Sequence, residues 1–70
     1  MEEAFKKKLR GYRKAMGLTQ LELAQYVDYS QEYISWLETG KCSPSFDTVN
    51  RFASFFKVKP IQMVMAPKSS

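Results

Sequence analysis

The sequence has no histidine and a single cysteine, Cys42. One thiol cannot close a disulfide within the chain, so the staple common to small secreted domains is absent. A zinc site would have to be assembled from that cysteine and carboxylates, which is not a donor set zinc favours, so no metal and no cofactor is expected. No constellation for nucleophilic, acid–base or metal chemistry emerges, and no glycine-rich loop is present to cradle phosphates. The chain is therefore expected to be no enzyme and to take no small-molecule substrate. No apolar run approaches the length of a membrane span, and no charged-then-apolar leader is visible, so the expected setting is cytoplasmic, away from membranes. Strand signals are missing too, because no segment alternates apolar and polar residues over the length a strand needs.

What the sequence does have is apolar bulk and positive charge. Hydrophobic residues make up 44% of the 70 positions and aromatics 14%, enough for a core and too much for a disordered tail. Its length suits one domain, expected over residues 1–66 with a flexible tail at 67–70, and a core this small is marginal. Eleven Lys and Arg against seven Asp and Glu leave a net charge of +4, and six of the eleven lie between Lys6 and Lys14. Concentrated positive charge suits a polyanion, although a solvated basic helix face gives the same composition.

Helical punctuation recurs along the chain. A first helix is expected from about Glu2 to Met16, with Phe5, Leu9, Tyr12 and Met16 as its apolar stripe and Gly17 as its stop. Gly11 inside it suggests a close backbone approach. Thr19-Gln20-Leu21-Glu22 is a capping box that opens a second helix with Leu23, Ala24 and Val27 on its buried face. Asp28 suits the left-handed turn after it. Ser30 caps a third helix whose Ile34 and Leu37 point inward and whose Gln31, Glu32, Ser35 and Trp36 share the opposite face. Gly40 ends it. Ser45 caps a fourth, with Phe46, Val49, Phe52, Ala53 and Phe56 as its apolar side, and Pro60 opens a short fifth to about Met65.

Two short capped helices joined by a brief turn, Thr19–Val27 and Ser30–Glu38, have helix-turn-helix spacing. The run Gly17-Leu18-Thr19-Gln20, then Glu22-Leu23-Ala24, resembles the start of the phage-repressor and Cro type of helix-turn-helix, the XRE family. Ser30, Ile34-Ser35, Leu37-Glu38, Gly40-Lys41 and Pro44-Ser45 continue the pattern, and the resemblance covers about residues 5 to 65. It implies an all-α, compact five-helix bundle of the lambda-repressor kind, with the helix-turn-helix at its second and third helices. It further implies a bacterial or phage source and a transcriptional regulator, expected to repress, that inserts its third helix into the major groove of double-stranded DNA as a dimer on a two-fold operator.

Carried over position by position, the resemblance and the chemistry of the side chains give expected roles. Base edges would be read by Gln31, Glu32, Ser35 and Trp36: glutamine can bond adenine through two atoms and glutamate can accept from cytosine N4. Glu32 equally suits the positive end of its helix. The DNA backbone would be met by Gln20, Ser30, Tyr33, Lys41 and Ser43. Arg13 and Glu38 are expected to form a structural ion pair that locks the first helix to the third. Phe55, Ile61, Met63 and Met65 are the expected dimer interface.

One departure from the family pattern bears on affinity. The third helix holds no Lys or Arg, so attraction for DNA must come from elsewhere on the chain. A second reading stays open beside DNA binding. Tyr26, Tyr29, Tyr33 and Trp36, with acidic Glu32, would also suit a protein-interaction module such as an antitoxin or antirepressor, in which the fold holds a protein partner.

Overall fold

Hydroxyl groups set the starts of the three central helices. Thr19, Ser30 and Ser45 are extended N-caps whose side chains accept from the backbone N–H of Glu22, Tyr33 and Thr48. At Thr19 the exchange is reciprocal. Glu22 N–H donates to Thr19 Oγ1 at 3.1 Å and Thr19 N–H donates to Glu22 Oε1 at 2.8 Å, so two amides that the helix leaves unpaired are satisfied. The stops are left-handed: Gly17, Asp28, Gly40 and Lys57 all have φ between 60° and 79°. The computed structural model describes residues 2–65, and the tail expected at 67–70 lies outside them. Within that range lie α1 (Glu2–Ala15), α2 (Gln20–Val27), α3 (Gln31–Thr39), α4 (Phe46–Phe56) and α5 (Pro60–Val64), with no strand among the described residues.

Each helix contributes a narrow apolar stripe to one core. Phe5 and Leu9 from α1, Leu23, Ala24 and Val27 from α2, Ile34 and Leu37 from α3, Val49, Phe52 and Ala53 from α4, and Met63 from α5 are all buried there. Phe5 and Phe52 meet edge-on, with ring centroids 6.0 Å apart, at the junction of α1 and α4. Burying a side chain of that size contributes about 1.5–3 kcal/mol, and the 0–4% exposure of these residues shows that most of the gain is realised. The α5 segment packs on both α1 and α4, closing the bundle behind the α2–α3 pair.

Several expected core positions turn outward. Met16 is exposed because α1 ends at Ala15 and the chain then swings through Gly17 toward α2. Phe46, expected on the apolar side of α4, is 77% exposed, and Thr48 takes a buried place in its stead. Gly11 faces open space, with nothing within 4 Å of where a Cβ would sit, so it allows no close approach. No helix of the described residues is long and apolar enough to cross a membrane.

Candidate nucleic-acid interface

A tight turn holds α2 and α3 together. Asp28 adopts φ 60° and ψ 44°, an arrangement aspartate tolerates better than most residues, and its N–H bonds the Ala24 carbonyl. Tyr29 N–H bonds the same carbonyl at 3.0 Å, and Ser30 then starts α3. From the α4 side, Arg51 Nη1 donates to the Val27 carbonyl at 3.1 Å, and its guanidinium carbon lies 4.6 Å from the centre of the Tyr29 ring. The end of α2 is thus tied to α4 through one cation.

At the end of the α2–α3 pair away from the turn lies a buried charged network. Arg13 Nε donates to Glu38 Oε2 at 2.6 Å and Nη2 to Oε1 at 3.0 Å, a two-pronged geometry that suits guanidinium and carboxylate. Arg13 Nη1 donates to the Leu18 carbonyl at 2.8 Å, so one side chain bridges α1, the loop before α2, and α3. Hydrogen bonding to Glu38 raises the Arg13 pKa above its ordinary value; burial opposes the rise and the Coulomb attraction of Glu38 adds to it. Gln20 joins the pair, its Nε2 donating to Glu38 Oε1 at 3.2 Å. The glutamine expected at the DNA backbone therefore has one amide hydrogen engaged in the fold. Its amide oxygen and second hydrogen are the groups left for a phosphate.

The outward face of α3 is polar at its start. Gln31 and Glu32 are exposed in the first turn; Ser35 is half-buried and Trp36 is 38% exposed one turn on. These four fall on one face, since three- and four-residue separations bring helix positions together. Ser30 is exposed, and its Oγ accepts from Tyr33 N–H at 3.1 Å, which leaves its own proton for an outside acceptor. Lys41 and Ser43 are exposed in the loop after α3, with Lys41 N–H held by the Trp36 carbonyl at 2.8 Å. Lys6 lies at the same end. Its Nζ sits 3.4 Å from where a Cβ on Gly40 would stand and 3.2 Å from Glu3 Oε1, which puts an α1 cation beside the loop of Lys41. Nothing local in the sequence joins positions so far apart.

Other expectations need correction. Tyr33 does not offer its hydroxyl outward; the ring is half-buried and its oxygen lies 3.0 Å from Thr48 Oγ1. Tyr29 is half-buried as well, so the four aromatics expected on the surface reduce to Tyr26 and Trp36. The four expected interface residues do not form one face. Met63 is fully buried, because α5 turns it into the core between α1 and α4. Phe55 stacks on Tyr26 at 5.3 Å and lines a groove between α2 and α4. Ile61 lines a different apolar groove of about 330 Å³, with Phe46, Val49, Pro60 and Val64. Met65 is exposed just past α5. Thr48 is the position that sequence reasoning missed and Phe46 the one it turned the wrong way, and the one signal for both is the phase of α4 relative to its Ser45 cap.

The fold and this geometry define a five-helix bundle that presents a helix-turn-helix. Residues 7–63 match the family model of the helix-turn-helix domain, and the chain belongs to that family. It is 41% identical over 54 residues to an uncharacterized HTH-type transcriptional regulator of Methanocaldococcus jannaschii, covering 77% of this chain and 82% of the relative. It is 44% identical over 45 residues to an uncharacterized HTH-type transcriptional regulator of Methanothermobacter thermautotrophicus, covering 64% of this chain and 65% of the relative. Among solved structures, a hypothetical transcription factor from Neisseria, NHTF, superposes with a TM-score of 0.89 at 21% identity, over 96% of this chain and 77% of that one. That likeness is one of fold.

Proposed function

We propose that the protein is a sequence-specific DNA-binding transcriptional regulator that inserts α3 into the major groove, binds a two-fold operator as a dimer, and represses by occupying the site. One observation carries the reading: the exposed polar first turn of α3, Gln31 and Glu32, is presented from a helix anchored from behind by the buried Arg13–Glu38 pair. A major groove about 12 Å wide admits one helix and displays a distinct donor and acceptor pattern for each base pair. Gln31 suits adenine, Glu32 suits the cytosine amino group, and Trp36 suits a thymine methyl, with Ser35 beside them. Ser30, Gln20, Lys41 and Ser43 flank that face and suit phosphates, with Lys6 next to Lys41. With no basic residue on α3, this rim supplies the attraction and α3 supplies the choice of sequence.

The dimer reading moves to the groove of Phe46 and Ile61, with Val64 and Met65. Phe46 at 77% and Ile61 at 56% exposure place a large apolar surface on one side of a small protein, and a second copy meeting it would cover both. Two reading helices so joined would meet half-sites about one DNA turn apart. Fluorescence anisotropy against a duplex enriched from a randomised pool tests the whole reading. Lys41→Ala should weaken binding to all duplexes alike and lower the salt slope by about one. Ile61→Lys should yield monomers in sedimentation and lose two-fold sites first. A wild-type chain that prefers no duplex at low salt overturns the assignment.

A protein-binding role is the second reading, favoured by one feature. Tyr26, 67% exposed and stacked on Phe55, borders a groove that also holds Asp28 and Asp47. Saturable capture of a purified protein without any DNA retention would decide for it.

A further inference from the structure

Thr48 gathers an unusual number of hydroxyls. Tyr29 Oη donates to Thr48 Oγ1 at 3.2 Å, Tyr33 Oη lies 3.0 Å from the same oxygen, and Ser45 Oγ also lies 3.0 Å from it. Thr48 is 3% exposed. A threonine hydroxyl carries one proton and two acceptor positions, so three partners use its full capacity. Ser45 Oγ in turn accepts from Thr48 N–H at 3.2 Å as the cap of α4. The two tyrosine rings meet edge-on at 5.0 Å, and Tyr29 is held on its other sides by Phe52 and Arg51. Tyr29 belongs to the helix-turn-helix turn and Tyr33 to α3 itself, between Glu32 and Ile34.

We propose that Thr48 is a positioning residue for sequence reading: its hydroxyl, through Tyr33 and Tyr29, sets the rotation of the first half of α3 about its own axis and so aims Gln31 and Glu32 at the base edges. The inference depends on the DNA-reading function above. Apolar packing of Ile34 and Leu37 does not by itself set the rotation of the first half of α3, since apolar contacts are not directional, and the Arg13–Glu38 pair acts at the other end of the helix. Hydrogen bonds are directional, weakening steeply away from linearity, and those on Thr48 reach α3 one residue from Glu32. A small roll is enough to misplace a two-atom contact to a base while the phosphate contacts of Gln20, Lys41 and Lys6, made from outside α3, persist.

The test compares Thr48→Val, which keeps the shape and removes the hydroxyl, with Thr48→Ser, which keeps the hydroxyl. Tyr33→Phe is the second probe, because it deletes one oxygen and leaves the ring in place. Each is titrated against the duplex that the wild-type chain enriches and against a scrambled duplex of the same length and composition. Thr48→Val and Tyr33→Phe should each lower the ratio of the two affinities about tenfold, within the range that one two-atom base contact supplies, with binding to the scrambled duplex unchanged. Thr48→Ser should keep the ratio within about twofold of wild type, since it retains the hydroxyl contacts. A discriminating wild type whose ratio survives both Thr48→Val and Tyr33→Phe overturns the positioning role alone. A wild type without discrimination overturns the DNA-reading function and this inference together.

Discussion

The two ends of α3 are held by different chemistry. At the C-terminal end, Glu38 is clamped by Arg13 through a buried, two-pronged ion pair with Gln20 as a third member. Nearer the N-terminal end, Tyr33 is held by a neutral cluster of hydroxyls around Thr48. The difference teaches how a small bundle fixes a working helix. A buried ion pair is all-or-none: intact, its desolvation is offset by hydrogen bonds, but half-removed it leaves a stranded charge. A hydroxyl cluster fails gently, because half-buried phenols left without a partner can turn to water. The ionic end therefore governs whether α3 stays docked, and the hydroxyl end governs how it is turned.

The largest expected effect comes from breaking the ionic end. Arg13→Met should cost about 3–5 kcal/mol in urea denaturation, the usual penalty for leaving one buried charge unpaired. That is a large part of the roughly 3.5–10 kcal/mol that a chain of this size commands. Because the Arg13 pKa is raised in the folded state, its contribution is fully present below the ordinary arginine value and is lost only as pH rises through the raised one. The deficit of Arg13→Met should therefore not change through Arg13 titration across the neutral range. A loss under about 1 kcal/mol would remove the distinction between the two ends.

The exposed face between the anchors comes next. Gln31→Ala should lose about 1–3 kcal/mol of discrimination at one base pair, read by anisotropy with single-base variants of the preferred duplex. It should leave the urea midpoint where it was, because Gln31 is exposed on the far side of α3 from the core. Breaking the hydroxyl end should matter less to stability: Thr48→Val removes three neutral hydrogen bonds, and with the released tyrosine and serine hydroxyls turning to water it is expected to cost about 1–2 kcal/mol. If its cost matched that of Arg13→Met, the hydroxyl cluster would be an anchor of the same kind. The smallest effect lies outside both ends. Gly11→Ala, with open space where its Cβ would stand, should stabilise α1 by about 0.5–1 kcal/mol and leave DNA discrimination unchanged.

Much of this was legible in the sequence, and for identifiable reasons. Thr19, Ser30 and Ser45 announce helix starts because capping is a local exchange between neighbours, and all three cap as expected. Gly17 and Gly40 announce stops for the same kind of reason, since left-handed backbone favours glycine. The spacing of α2 and α3, and with it the helix-turn-helix, follows from those signals. The neighbours of the reading face were less legible. Met63 reads as surface and is core, while Phe46 reads as core and is surface, because a short helix shows its apolar phase only against the helices it packs on.

The sequence by itself determined five helices, the caps at Thr19, Ser30 and Ser45, the stops at Gly17, Asp28 and Gly40, and the residues that α3 turns outward, because each depends on positions a few residues apart. Only the tertiary structure decided what holds α3 from behind. Gln20 bonds Glu38 across 18 positions, Tyr33 bonds Thr48 across 15, and Lys6 lies against Gly40 at the far end of α3. Such contacts exist only once α1, α2 and α4 have packed against α3, for a side chain has no partner until packing brings one within hydrogen-bond reach.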